Sequence, residues 1–286
     1  MQPSMTRSKK SALLHWANDS LRAVLPWPVV AWCEDLYFTQ FGEIELRMVR
    51  HLCRTDRDSI DVGANIGVYL HAMKRHSRQV YAFEPIPWLA QSLASKFGPA
   101  IVVKRIALSR ETGTALLHIP VIDGSPVTGL SALSGNLAVK HLPCWHIGVE
   151  TKSLDDVYLA NVGFIKIDVE GHEESVLQGA QRTIAHYRPR VLVGGGGAPS
   201  AGLRSTPPGL LPPTRPSRLL RPASAPGADR AFRSRENATD RGHRRLYARH
   251  AAHPLRYINN FLFLPPDEAT ATLALLDAAL TKPAGA

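Results

Sequence analysis

The stretch SIDVGANIGVYLHAM, residues 59–73, sets an apolar run against Asp61, Gly63, Asn65 and Gly67. A short apolar segment that ends in glycines and resumes with helical spacing reads as a strand, a tight turn and a helix. Glycines at such a turn let the backbone bend sharply and let another group approach it closely. The dinucleotide fingerprint at this point is Gly-x-Gly-x-x-Gly, with a pyrophosphate on the helix N-terminus. Here Asn65 replaces the central glycine and Asp61 opens the motif. A carboxylate repels a pyrophosphate and suits a ligand that carries an ammonium group.

The flanking segments supply the fold. Residues 42–54 read as a helix, 59–62 as a strand, 67–76 as a helix, 79–83 as a strand, 87–97 as a helix and 100–105 as a strand. This βαβαβ rhythm predicts an α/β fold, a mostly parallel, doubly wound sheet with helices on both faces. Strands follow at 114–121 and 145–152, around a Gly/Ser-containing loop at 123–136. The apolar run at 162–169 reads as a core strand, 172–187 as one amphipathic helix and 190–193 as a further core strand. After Val193 the pattern stops. Residues 194–256 hold twelve Arg, nine Pro, eight Gly and ten Ala with no hydrophobic period, so no element is assigned there. A strand at 257–266 and a helix at 267–280 then resume, which leaves the C-terminal edge of the sheet irregular.

The formal net charge of +10 would raise nucleic acid as a partner, but its location argues otherwise. Residues 194–256 carry twelve Arg and no Lys against Asp229, Glu236 and Asp240, leaving the rest of the chain close to neutral. That tract lacks interleaved aromatics and any recognisable nucleic-acid module, so a nucleic-acid-binding function is the weakest reading. Three scattered cysteines with no ligand-spaced cluster indicate a reducing compartment, the cytoplasm, and no metal site. The apolar run at 23–33 is short, holds two prolines and predicts no stable membrane insertion.

Two further motifs carry chemistry. Glu84 ends the second strand, 17 residues after Gly67, where the acid of a doubly wound nucleotide site hydrogen-bonds the ribose hydroxyls. Pro85 fixes the chain as it leaves that strand, beside the expected adenine. Asp168 ends the 162–169 strand, and Glu170, Gly171 and His172 follow within one turn. Ligands of open α/β sheets bind at the carboxyl ends of the strands, and carboxylates there can hold a reacting hydroxyl or accept its proton. Asp168, Glu170 and His172 are therefore the candidate catalytic residues. Glu173 equally serves the first turn of the following helix through its dipole. S-adenosylmethionine, with its ammonium and sulfonium, fits the carboxylate-led turn; a NAD-dependent oxidoreductase, which wants the missing glycine, is the alternative.

The segments DVGANIG, YAFEP, IALSRETG, TKSLDDV and IKIDVEGHEESVLQGA, in that order, closely resemble the FkbM-type S-adenosylmethionine-dependent methyltransferases over roughly residues 40–193. The resemblance implies a Rossmann-like class I methyltransferase that methylates a hydroxyl on a sugar or other natural product. It implies a cofactor lobe of Asp61, Gly63, Asn65, Gly67, Glu84 and Pro85, with Ala107 at the adenine edge and Asp168 at the reactive end. Two positions depart from the family pattern. Arg105 stands where a small polar residue is expected, and GGGGAPSAGLRS follows RPRVLV where an acidic residue should. A GC-rich gene read out of frame would give such a composition. The chain accordingly divides into an N-terminal helical extension (1–40), the cofactor-binding domain (41–193), an irregular or disordered Arg/Pro/Gly-rich segment (194–256) and a terminal strand and helix of the same domain (257–286).

Overall fold

A computed structural model describes residues 44–133, 142–194 and 261–281. The expectations for residues 1–40 and for nearly all of 194–256 lie outside the described residues. Within them the chain runs α1 (Ile44–Leu52), β1 (Asp58–Val62), α2 (Val68–His76), β2 (Val80–Phe83), α3 (Pro87–Phe97), β3 (Ile101–Lys104), β4 (Ala107–Leu108), β5 (Gly113–Ile122), β6 (Ser125–Pro126), β7 (Ala132–Leu133), β8 (Cys144–Lys152), β9 (Val162–Ile167), α4 (Glu173–Gln178), α5 (Gln181–Tyr187), β10 (Arg190–Val193), β11 (Phe261–Phe263) and α6 (Pro266–Thr281).

The main sheet has the order β11-β10-β9-β1-β2-β3. Every neighbouring pair is parallel except β10 and β11. The chain thus builds outward from β1 through β2 to β3, then returns to the other side of β1 with β9. That reversal puts the topological switch point between β1 and β9, where open α/β sheets bind their ligands.

Strand alternation sorts the side chains into two cores. Phe164, Leu192, Leu262, Val80 and Ala82 meet Met48, Leu70, Met73, Leu93 and Leu276 from α1, α2, α3 and α6. Ile60, Val62, Ile165, Ile167 and Val191 meet Val176, Leu177 and Ile184 from α4 and α5 on the opposite face. Helices therefore cover both faces, as the parallel order requires. The expected irregular edge is regular where it is described: Val191, Leu192 and Val193 pair in register with Phe263, Leu262 and Phe261. Glu268 of α6 secures this side through Arg190 (2.8 Å) and Arg54 (3.2 Å).

The strands at 113–122 and 144–152 do not enter the main sheet. They form an antiparallel hairpin, joined by β4, β6 and β7, in a second small sheet. Its Ala107, Leu117, Ile119 and Val149 pack on Ile86, just past the end of β2, so it stands at the carboxyl end of that main strand.

The single helix expected at 172–187 is two helices, broken at Gly179 and Ala180. The Gly179 carbonyl accepts from the Asp155 N–H (2.9 Å) and the Ser153 hydroxyl (2.7 Å), which draws it out of a helical ladder. A Cβ at Gly179 would lie 2.0 Å from the Ser109 carbonyl oxygen, so the break marks a backbone contact that only glycine permits. Amphipathic periodicity carries across such a break, which is why it is invisible in the pattern.

Asp58 begins β1 in full burial, and Arg78 holds both its oxygens at 2.8 and 2.9 Å. The arginine is 50% exposed and the carboxylate 1%. Arg78→Ala is expected to destabilise the protein, because a buried carboxylate loses charge-assisted hydrogen bonds. Chemical denaturation that shows no change would contradict this.

Candidate functional site

A cavity of about 410 Å3 opens at the carboxyl ends of β1, β2 and β9, under the small sheet. Gly63, Asn65, Glu84, Pro85, Ala107, Asp168, Glu170 and His172 all reach its wall. Asp61 and Gly67 do not. Asp61 is buried behind that wall, and Gly67 caps α2.

The placement of the glycines has a steric reason. Gly63 (φ +78°) packs so closely on the next strand end that a Cβ would lie 2.1 Å from the Asp168 carbonyl oxygen. Gly67 (φ +85°) caps α2, and a Cβ there would meet Leu93 and Phe97 of α3 at 2.7 and 2.9 Å. What approaches these glycines is the protein's own chain. Asp61 points into the helix-covered core of α1, α2 and α3, 1% exposed, and its Oδ1 lies 3.5 Å from Lys166 Nζ. Burial pushes its carboxyl up, and the Lys166 ammonium opposes that.

Glu84 is 3% exposed and tied by its own backbone surroundings. The Asn65 N–H donates to Oε2 (2.8 Å) and the Ile86 N–H to Oε1 (2.9 Å). Burial outweighs these bonds and pushes its carboxyl up to about 7. Asn65 sits at φ 48° and accepts through Oδ1 from the Thr128 hydroxyl (3.3 Å), which ties the β1–α2 turn to the small sheet.

Across the cavity Asp168 Oδ2 lies 3.3 Å from Lys166 Nζ. Glu170 takes a left-handed backbone (φ 47°), and burial, then Asp168 and Glu173, push its carboxyl up to about 7. His172 shares a 2.9 Å hydrogen bond between Nε2 and the Ser109 hydroxyl. Burial, and then Arg110, lower its pKa and favour the neutral ring. Glu173 turns away from ligand duty: the Gly171 N–H donates to its Oε1 at 3.0 Å, closing the turn before α4.

Sequence reasoning missed two contributors. Lys166 lies in the cavity wall, and the signal was a lysine alternating with isoleucines in a strand buried on both faces. Leu117 and Leu133 of the small sheet, with Thr128, Gly129 and Ser131 from the turn between β6 and β7, close one side, and no local motif announces them. Among the described residues no helix is long and apolar enough to cross a membrane.

Residues 61–197 match the family model described as the Methyltransferase FkbM domain. A solved methyltransferase FkbM from Methylobacillus flagellatus KT is similar at 20% identity and a TM-score of 0.36, over 63% of this chain and 48% of that one. The 23S rRNA methyltransferase ErmE is similar at 12% identity and a TM-score of 0.30, over 52% and 44% of the two chains. YcgJ from Bacillus subtilis is similar at 10% identity and a TM-score of 0.29, over 52% and 48%. The chain therefore spans about half the length of each of these structures. No curated protein matches the sequence. Residues 61–197, which hold the parallel α/β sheet and the cavity at its switch point, are thus the part of the chain that matches the methyltransferase FkbM domain.

Proposed function

We propose that the cavity binds S-adenosylmethionine and that the domain methylates a hydroxyl of a small molecule, a sugar or other natural product, in the cytoplasm. One observation carries the reading: among the described residues the cavity wall holds three carboxylates, Glu84, Asp168 and Glu170, against the single ammonium of Lys166. Such a wall favours a ligand bearing sulfonium and ammonium groups and disfavours the pyrophosphate of NAD. The volume of about 410 Å3 lies within the usual range for ligand sites, and Phe83, Ile86, Leu108 and Leu133 offer apolar surface for a base.

When bound, the cofactor supplies an already activated methyl group, so the protein's share is binding, alignment and proton removal. Glu84, pinned by two backbone N–H groups, offers its remaining lone pairs to the ribose hydroxyls. Ala107 and Pro85 bound the adenine side, Gly63 and Asn65 the turn, and Asp168 the polar end. Glu170 is suited to accept the acceptor's proton near neutral pH, since its carboxyl is held at about 7. His172 is favoured in its neutral form and is the second candidate base. Cys53 and Cys144 are free thiols, which suits a reducing compartment.

The test is calorimetry with S-adenosylmethionine and with NAD. The wild-type protein is expected to bind only the former, and Glu84→Ala to weaken it by about 10- to 150-fold, the worth of one or more charge-assisted hydrogen bonds. Tight NAD binding, or unchanged affinity in the variant, would refute the assignment.

A further inference from the structure

Lys166 occupies a place that neither the sequence motifs nor the expected ligand contacts account for. Its side chain is 6% exposed, yet its Nζ spans two carboxylates of opposite situation. Asp61, at 3.5 Å, is sealed in the interior with 1% exposure, whereas Asp168, at 3.3 Å, stands at the cavity with 42%. Asp61 and Lys166 are direct cross-strand partners in the β1–β9 register, so the backbone fixes this juxtaposition. The Tyr69 ring centroid lies 4.2 Å from the ammonium and holds it from the α2 side. Neither carboxylate oxygen of Asp61 has a hydrogen-bond partner within normal reach, and Lys166 is its one ion-pair partner among the described residues.

The other oxygen of Asp168 is bounded too. A Cβ at Gly194 would lie 2.7 Å from Asp168 Oδ1, so this carboxylate stands between an ammonium and a bare stretch of backbone. The Gly194 N–H donates to the Ile167 carbonyl (2.7 Å), which keeps that backbone in place.

We propose that Lys166 is a positioning residue that holds the Asp168 carboxylate at the cavity wall, with Asp61 as the buried counter-charge that keeps the ammonium there. Two carboxylates on one ammonium leave a surplus negative charge, and Asp168 is the member that presents it to the ligand. Asp61 then acts on binding at second hand, through Lys166. The inference rests on the reading of the cavity as an S-adenosylmethionine site.

The test is a double-mutant cycle in S-adenosylmethionine affinity, which separates action through Asp168 from a general structural effect. Lys166→Met alone would strand Asp61 as a buried unpaired charge, so the pair is removed together as Asp61→Asn/Lys166→Met, a neutral replacement. Melting temperature verifies folding of each protein. Asp168→Asn and the paired variant are each expected to lose about tenfold in affinity, the scale of one charge-assisted contact. The triple variant is expected to lose no more than Asp168→Asn alone, to within about twofold. Losses that multiply to about a hundredfold, or full affinity in the paired variant, overturn the proposal. Gly194→Ala presses on Asp168 from the other side without altering a charge, and it is expected to weaken binding similarly; full affinity there also overturns it. A wild-type protein that binds no S-adenosylmethionine refutes the functional reading and this inference with it, whereas binding with multiplicative losses refutes the inference alone.

Discussion

Gly63→Ala is expected to destabilise the protein by about 3–5 kcal/mol, combining a left-handed backbone forced on alanine with a backbone clash. The residue has φ +78°, and the new Cβ would fall 2.1 Å from the Asp168 carbonyl oxygen. No side-chain rotation relieves contact between a Cβ and a main-chain oxygen. The β1 and β9 ends would have to separate, at the place where the cavity floor is built. The melting temperature should fall by about 10 °C or more at this chain length. Gly148→Ala is the matched control, since nothing lies within 4 Å of its Cβ position and its backbone is not left-handed. A Gly63 variant as stable as the Gly148 variant would show that the two strand ends are not so closely packed.

Stability of the ligand-free protein is expected to fall as pH rises from about 4.5 to about 7, opposite to the usual behaviour of an acid-sensitive enzyme. Glu84 and Glu170 are both held at about 7, against an ordinary value of 4.5. Between those limits the folded state keeps protons that the unfolded chain has released, so the unfolded state gains with rising pH. Glu84 is nearly fully buried, and its share is about 3 kcal/mol at most. Glu173 and Asp61 are shifted in the same direction by burial. His172, His51 and His76, whose pKa values burial lowers, work the other way: their neutral folded forms lose stability as pH falls below about 6.5. Urea denaturation at half-unit steps from pH 5 to 8 checks the sum, and Glu84→Gln should flatten the slope. A stability that climbs steadily to pH 7.5 in both proteins would contradict the burial of these acids.

Much of the main sheet was legible because its strands are buried on both faces and read as short apolar runs between glycine and proline signals. Arg190–Val193 matches its expected limits for that reason, and the helix Pro87–Phe97 matches its own because Pro87 opens it and Gly98 closes it. The small sheet was legible as two strands but not as a separate layer, since which strands pair depends on contacts between distant segments. Acids at strand ends were found at Glu84, Asp168 and Glu170, because a charge after an apolar run stands out. The same rule took Asp61 for the end of its strand, whereas it is followed by Val62 and still lies within the strand. One residue of register decides whether a side chain faces a cavity or a core. Lys166 went unread from the opposite side of the same problem: a charge inside an apolar strand has meaning only once its cross-strand partner is known.

The antiparallel pairing of Phe261–Phe263 on β10 also sets the order of events during synthesis. Val193 and Phe261 are adjacent in the sheet and separated by 67 intervening residues in the chain. At about 5–20 residues per second, the ribosome leaves the β10 edge without its neighbour for roughly 3–14 seconds. Leu276 of α6, which completes the core beside α1, emerges later still. The nascent chain therefore carries an open strand edge and an unfinished core while most of its sheet is already outside the tunnel. Such an interval invites edge-to-edge association. Yield in a cell should thus depend on translation speed and on holdase chaperones more than on the thermodynamic stability of the finished domain.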